Sequence, residues 1–587
     1  MFNLKASGKS MLEELRAEGH SIEAPCGGTH SCGKCKLRVL SGRTDDISPE
    51  EAAFLSEDEI KAGCRLACFA HFLEGGTAEA WKKDEGSIDI LSSDQVLKQT
   101  GEPVLKIKKI AVKSPSLENS LDLWECFFGP EDGEIRCTDL ELLCRLPVLL
   151  QQEEVFAVLR DGVLIDLKSS GKAYGAAIDI GTTTVALDIS DLNSGESIAK
   201  RAFTNPQKDY GLDVLSRINF SSESDDKRKR LQQVIADEIN ASISSICSEA
   251  GLDKDDIYSV CVAANATMTH ALLGLPLKSL GRKPYAPLIK APGSINASQI
   301  GLSCNKNAEL YLLPAVSAYI GGDIVAGASV CRLEQAEDTV LFIDIGTNGE
   351  IVLSDHGKMI ACSCAAGPAL EGMNISCGMR AETGAIESVK YEDGRMSLRT
   401  INNGTPQGLC GSGLIEAVSE GLRCGAILQN GRLNRQHPLV DSEDGLKLII
   451  SEEFSICLTQ KDIRQVQLCK AAILSGIEQL TGSLGLGSED IDRVLVAGQF
   501  GKHLSPEALT GAGFLPFELI DKIEYIGNSS HSGARNALVS EDFRKKALMI
   551  SRSVDYLELS VIEGYEKAFV KAMNFDIPKE ISIDAQL

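Results

Sequence analysis

The sequence predicts a multidomain protein of α/β and α+β domains, and three observations point to it. Its 587 residues exceed what one hydrophobic core organises, which implies roughly three to five domains. From residue 172 onward, β-type runs alternate with Gly/Pro turns and amphipathic helical patterns, as in α/β architecture. Within that part, residues 177–184 read AIDIGTTT and residues 342–349 read FIDIGTNG, near copies of one strand–turn pattern. Composition sets the boundaries: a cysteine-bearing unit at 1–91, a polar linker at 92–103, a small middle domain at 104–171 and a two-lobed domain at 172–587.

Hydrophobic residues make up 43% and charged residues 24%, the balance of ordinary globular protein. Aromatics at 5% leave little material for base-stacking surfaces. A net charge of −24 disfavours nucleic acid and anionic membrane as partners, and favours docking partners with basic or mixed surfaces. The N-terminal stretch lacks the apolar core of a signal peptide, and no apolar run reaches the roughly 18 residues of a membrane span. A cytoplasmic location is expected, so the 19 cysteines read as reduced thiols rather than a disulfide framework. Many are small buried hydrophobes. One group is different.

Residues 26–35 read CGGTHSCGKC, a C-x5-C-x2-C spacing inside a Gly-rich loop, followed by a β-type run at 36–40. A loop of that composition can curl around an inorganic cluster and aim backbone N–H groups at its sulfides. The candidate ligands here are Cys26, Cys32 and Cys35. A fourth thiolate comes from a distant segment, and residues 63–68, GCRLAC, offer Cys64 and Cys68. The plant-type [2Fe–2S] pattern is C-x4-C-x2-C with a remote fourth cysteine; here the first gap is one residue longer. Structural zinc is the alternative, but zinc sites favour paired C-x2-C knuckles and only one such pair is present. His30 reads as a solvent-facing loop residue, because a Rieske-type centre needs two histidines.

The linker at 92–103 is short and polar. In the middle domain, 105–112 alternates Lys with apolar residues like a half-buried strand, 140–146 has helical spacing and 155–163 returns as a strand. Cys126, Cys137 and Cys144 lack metal-ligand spacing and read as core. The unit reads as a spacer or a dimerisation surface.

In the two-lobed domain, each strand ending in Asp-Ile-Gly-Thr sets a carboxylate beside backbone N–H groups and hydroxyls, which suits Mg2+ and phosphate. Asp179 and Asp344 are the carboxylates; Gly181, Thr182, Thr183, Gly346, Thr347 and Asn348 form the two turns. One such hairpin needs no ligand, but two copies suggest lobes gripping one nucleotide from opposite sides. Residues 494–501, VLVAGQFG, form a buried strand opening into Gly498 and Gly501. Gly411 and Gly413 open a helical pattern; they either present N–H groups to a phosphate or cap a buried helix. Further segments look shaped for close backbone approach: 265–269, 321–324, 367–372 and 527–533. Helices are expected over 226–250 and 465–483.

On these motifs the N-terminal unit resembles [2Fe–2S] ferredoxins of the adrenodoxin or plant type, a β-grasp fold. Residues 173–587 resemble the actin, hexokinase and heat-shock ATPase superfamily. The resemblance implies that Cys68, in LAC at 66–68, is the fourth ligand, with Cys64 as understudy. It also implies that the two repeated loops hold the phosphates of Mg-ATP and that the Gly498–Gly501 element holds adenosine, although Ala497 replaces the usual first glycine. The order of domains, with YGLDVLSR at 210–217 and GMRA at 378–381, resembles the ATP-dependent reductive activators of corrinoid enzymes.

That resemblance implies an ATP-hydrolysing enzyme of anaerobic one-carbon metabolism, transferring an electron to Co(II) of a corrinoid protein or corrinoid-dependent methyltransferase and restoring Co(I). A plant-type cluster lies near about −400 mV, and each roughly 59 mV of uphill gap costs about 1.4 kcal/mol for one electron. A low-potential electron donor and coupling to ATP are therefore implied. Asp323 or Glu350 would orient the attacking water, and the sequence does not choose between them. The resemblance also allows a homodimer. Two alternatives are an actin-like small-molecule kinase with a regulatory cluster and an ATP-binding redox-sensing scaffold.

Overall fold

The computed structural model describes residues 2–575 apart from 19, 21, 23, 25–27, 29, 31–32, 34, 56, 82–100, 118–120, 130–131, 133, 443–444 and 499–503. At the N-terminus, strands β1 (Phe2–Leu4), β2 (Lys36–Ser41), β3 (Cys64–Leu66) and β4 (Gly76–Ala80) form one sheet in the order β1-β4-β2-β3. The helix Met11–Ala17 starts at Ser10, whose side chain and that of Glu13 form a capping box, worth about 1 kcal/mol. Leu12 and Leu15 on its inner face are buried. Its first turn hangs on the segment after β3: the amides of Met11 and Leu12 donate to the carbonyls of Ala70 (2.9 Å) and Ala67 (2.8 Å).

The middle sheet runs β5 (Lys106–Ala111), β7 (Glu154–Arg160), β8 (Val163–Lys168) and β6 (Arg136–Cys137), in that spatial order. The run at 155–163, expected as one strand, is a hairpin. Asp161 and Gly162 take positive φ (50° and 73°) and turn the chain between β7 and β8. Cys126 is buried as expected, whereas Cys144 is exposed on the outer face of the helix Leu140–Leu149. The reading of Cys144 as core is corrected, because Leu142 and Leu146 supply that helix's inner face.

Lobe 1 contains β9 (Tyr174–Ile180), β10 (Thr184–Asp191), β11 (Ser197–Thr204), β12 (Ile257–Ala264), β13 (Gly293–Asn296) and β14 (Glu309–Leu312), ordered β11-β10-β9-β12-β14-β13. Lobe 2 begins with β15 (Thr339–Ile345), β16 (Gly349–Asp355) and β17 (Lys358–Cys364). Two three-stranded sheets follow: β18 (Ala385–Glu392), β19 (Arg395–Thr400) and β20 (Gly408–Leu409), then β21 (Val440–Asp441), β22 (Lys447–Ser451) and β23 (Ile456–Thr459). The chain then returns with β24 (Arg493–Ala497), β25 (Ile523–Gly527) and β26 (Asp555–Tyr556) to complete the order β25-β24-β15-β16-β17-β26.

The lobes repeat one topology. In each, a hairpin and its third strand are antiparallel, and two parallel strands extend the sheet on the other side of the first strand. Between the sheets lie the helices Gly322–Val330 and Ser529–Val539, and one apolar cluster containing Ala177, Tyr258, Phe342, Leu495 and Leu538 joins both lobes. The expected helix over 226–250 is Asp225–Ala250; the one expected over 465–483 starts earlier, at Gln460, where Thr459 and Asp462 form a capping box.

Ionic contacts dock the middle sheet on lobe 1. Tyr258 donates its hydroxyl to Asp166 (2.7 Å), and Lys168 pairs with Asp256 (2.5 Å). Buried Glu309 receives Arg160 from the middle sheet (2.8 Å) and Arg544 (2.5 Å). Burial raises the Glu309 proton affinity, but the two guanidinium groups win and hold it below the ordinary range.

Candidate functional site

Two hairpin turns face the interlobe cleft, Gly181–Thr183 between β9 and β10 and Gly346–Asn348 between β15 and β16. The carboxylates Asp179, Asp323, Asp344 and Glu350 are each half-buried and act on one another electrostatically. Crowding by protein on most sides leaves little water to hydrate four negative charges. Burial first, then the neighbouring Asp344 and Asp179, pushes Asp323 up to about 7; burial and Asp179 push Asp344 up to about 7. Glu350 is raised well above the glutamate range by burial, then by Asp323 and Asp344. Burial also raises Asp179, against hydrogen bonds from Asn528 (2.8 Å) and Ser530 (2.7 Å).

Among the described residues no three His, Cys, Asp or Glu side chains are placed to hold a metal ion by themselves. The cluster instead suits a cation that keeps its waters and takes further oxygens from a phosphate, the habit of Mg2+. Gly498 has φ 97°, and a Cβ there would lie 3.1 Å from an Asp344 carboxylate oxygen, so only glycine lets β24 end this close. Gly501 lies outside the described residues. Gly411 and Gly413 are buried in the first turn of the helix Gly411–Arg423; a Cβ on Gly413 would sit 2.1 Å from the Ile386 carbonyl, so there the glycine admits the neighbouring strand β18.

Loop 1 is braced from behind. Asn205 donates its side-chain amide to the Gly181 carbonyl (2.8 Å), and its backbone amide to Thr183 (2.9 Å). The Asn265 side-chain amide donates to the Thr182 hydroxyl (3.2 Å). Fully buried Arg217 donates to the Thr182 carbonyl (2.5 Å) and the Gly211 carbonyl (2.8 Å), with no carboxylate at ion-pair distance among the described residues. Its unpaired charge biases the loop toward anions. Glu371, from the short turn Pro368–Glu371, accepts hydrogen bonds from both loop threonines, Thr183 on one oxygen and Thr347 on the other. Asn528, Ser530, Arg217 and Glu371 lie in the segments 527–533, 210–217 and 367–372, whose glycines and family likeness signal close approach but name no role for these side chains.

In the N-terminal domain, Cys35 and Cys68 converge with sulfurs 3.3 Å apart, and the Cys68 amide points at the Cys35 sulfur (3.4 Å). Cys68 lies in the turn just past β3 rather than within the strand. Cys64, inside β3, is fully buried; burial and then Glu59 push its thiol up to about 11. Cys26 and Cys32 lie outside the described residues. Gly28 and Gly33 turn the loop at positive φ (100° and 64°). Exposed His30, also at positive φ (62°), sets its ring nitrogen 3.0 Å from the Cys68 carbonyl and stacks on Phe69. Arg65 clamps Glu51 through two 2.9 Å bonds and so fixes the segment that carries Cys64 and Cys68. Converging thiols with a backbone N–H aimed at sulfur, in a glycine-turned loop, fit an iron–sulfur group.

A thiol loop of the ferredoxin kind joined to a two-lobed actin-type cleft defines a class of ATP-coupled redox proteins. Comparison with known proteins narrows it. Residues 2–72 match the 2Fe-2S iron-sulfur cluster binding domain, 174–336 the RACo middle region, and 338–582 the C-terminal domain of RACo, the ASKHA domain. A solved reductive activator for a corrinoid, iron-sulfur protein is similar at 32% identity and TM-score 0.75, covering 97% of this chain and 96% of its own. The corrinoid activation enzyme RamQ of Eubacterium limosum is 28% identical over 97% of this chain and 96% of its own length. A Co(II) methylated amine-specific corrinoid protein reductase of Methanosarcina barkeri is 23% identical over 68% of this chain and 77% of its own. The chain belongs to the family of reductive activators of corrinoid proteins.

Proposed function

We propose that this chain uses ATP to drive one-electron reduction of Co(II) to Co(I) on a separate corrinoid protein or corrinoid-dependent methyltransferase. One observation carries the reading: the thiol-bearing domain rests on the turn that braces loop 1. Arg16, from the helix Met11–Ala17, donates to the Asp209 carbonyl (2.6 Å) in the turn Pro206–Tyr210, whose cap Asn205 holds Gly181. The names of the relatives, which refer to corrinoid activation and Co(II) reduction, support the same substrate class.

In this reading Cys26, Cys32, Cys35 and Cys68 would hold a [2Fe–2S] group, with Cys64 left in the core. That group, when bound, supplies one-electron chemistry at low potential. The remaining roles belong to the cleft. Gly181, Thr182, Thr183, Gly346, Thr347 and Asn348 present donors to the ATP phosphates, and Gly498 gives the nucleotide room beside Asp344. Asp179 and Asp344 would hold Mg2+, whose charge would let the acid cluster ionise. ATP and water become ADP and phosphate, while closure of lobe 2 on lobe 1 biases docking of the corrinoid partner. An external low-potential donor supplies the electron. The strongly negative surface selects partners with basic or mixed faces, and the thiol-rich sequence fits a reducing cytoplasm.

The test is anaerobic. Purified protein is mixed with a low-potential reductant, Mg-ATP and a Co(II) corrinoid protein, and the Co(I) absorption band is followed. Co(I) is expected only with ATP present. Iron-free protein, or reduction equally fast without ATP, would sink the reading.

A further inference from the structure

Glu371 is the single side chain that touches both nucleotide loops among the described residues' hydrogen bonds, one carboxylate oxygen toward each lobe. A threonine hydroxyl has one proton to donate. While Thr183 and Thr347 donate to Glu371, neither can donate to a phosphate. The glutamate is held in that place by its backbone: Gly367 and Gly372 flank the turn at positive φ (79° and 75°), and a Cβ on Gly372 would lie 2.3 Å from the Met379 carbonyl. The next residue, Arg380, reaches across to lobe 1 and donates to the Thr204 hydroxyl (2.9 Å). The segment 367–380 is thus a lobe 2 element touching lobe 1 at two points.

We propose that Glu371 is the acceptor that the terminal phosphate of a nucleoside triphosphate must displace, and that this competition sets the affinity of the cleft. A phosphate entering between the loops offers a stronger acceptor to both hydroxyls and repels the carboxylate. Glu371 then leaves the threonines, and the latch it forms between the lobes passes from a protein carboxylate to the nucleotide. The inference rests on the reading that this cleft binds ATP.

The experiment is equilibrium binding of a non-hydrolysable ATP analogue with Mg2+ to the full chain, as wild type, Glu371→Gln and Glu371→Ala, with nucleotide-free melting of each. Both variants are expected to bind the analogue more tightly, Glu371→Ala by on the order of tenfold, about one hydrogen bond to a charged group. Nucleotide-free melting is expected to fall slightly as the interlobe latch is lost. Equal or weaker binding in both folded variants would overturn the proposal. Unchanged affinity with collapsed ATP turnover would overturn it in favour of a water-orienting base. Wild-type protein that binds no analogue overturns the nucleotide reading itself, and this inference with it.

Discussion

The two hairpins lining the cleft share a motif and a strand order, yet differ at one cross-strand position. Ala186 stands opposite Asp179 in lobe 1; Glu350 stands opposite Asp344 in lobe 2. Like charges opposite each other on antiparallel strands repel, and burial first, then neighbouring carboxylates, raises both members of this lobe 2 acid pair above their ordinary range. The lobe 1 hairpin carries one carboxylate, tied down by Asn528 and Ser530. Their surroundings differ in the same sense. Arg217, Asn205 and Asn265 brace loop 1 from behind, and both the middle sheet and the helix Met11–Ala17 dock on lobe 1. The two halves are therefore alike in strand order and unequal in charge and bracing. Lobe 1 is an anchored floor, and the lobe 2 hairpin carries the paired acids.

The largest effect expected from this contrast is at the floor. Glu309→Ala leaves buried Arg544 and half-buried Arg160 without their carboxylate, and stability should fall by about 3–5 kcal/mol in denaturant titrations. A loss under about 1 kcal/mol would mean that lobe 1 does not depend on this junction with the middle sheet. Next come the two aspartates. Asp179→Ala and Asp344→Ala should each lower ATP turnover by roughly 10²–10³-fold without changing the visible spectrum of the N-terminal domain. They should differ in nucleotide-free stability. Asp179→Ala strands the Asn528 and Ser530 donors and should cost about 1–3 kcal/mol, whereas Asp344→Ala relieves repulsion and should not destabilise. Identical melting of the two variants would erase the contrast.

Both hairpins were legible in the sequence because a strand, an Asp and a Gly-Thr turn are local, and so was the thiol loop. Their partners were not. Asn528 and Ser530 reach Asp179 across about 350 intervening residues, and only the return of the chain into lobe 2 brings them there. Glu371 sits in a segment whose glycines signalled close approach, but its contact with two loops depends on how the lobes meet. The family found is the one that the cysteine spacing and the doubled loops together suggested. The hairpin at 154–168 does carry a local turn signal, Asp161-Gly162 after Arg160, but apolar runs on both sides of it read as a single strand when periodicity alone is followed.

The smallest expected effect is a pH dependence that separates the two acid sites. Asp323 and Asp344 hold protons up to about pH 7, and Glu350 well above its ordinary range, all chiefly through burial. In the unfolded chain the same groups release protons near about pH 4. Between those limits the native state binds more protons than the unfolded state. Their contribution to stability is therefore complete below about pH 4 and is lost as pH rises through about 7. The nucleotide-free protein should melt lower at pH 8 than at pH 6. Glu350→Gln makes the lobe 2 hairpin resemble that of lobe 1, so it should melt roughly 2 °C above wild type at pH 8 and converge with it at pH 5. Parallel curves for the two proteins would place the source of the pH dependence elsewhere. Mg2+ with nucleotide favours the ionised carboxylates, so its binding should release protons at pH 7, and calorimetry in two buffers of different ionisation enthalpy would detect them. Release should shrink in Glu350→Gln because one of the coupled acids is gone, while Ala186→Ser, at the matching position of lobe 1, should leave it unchanged.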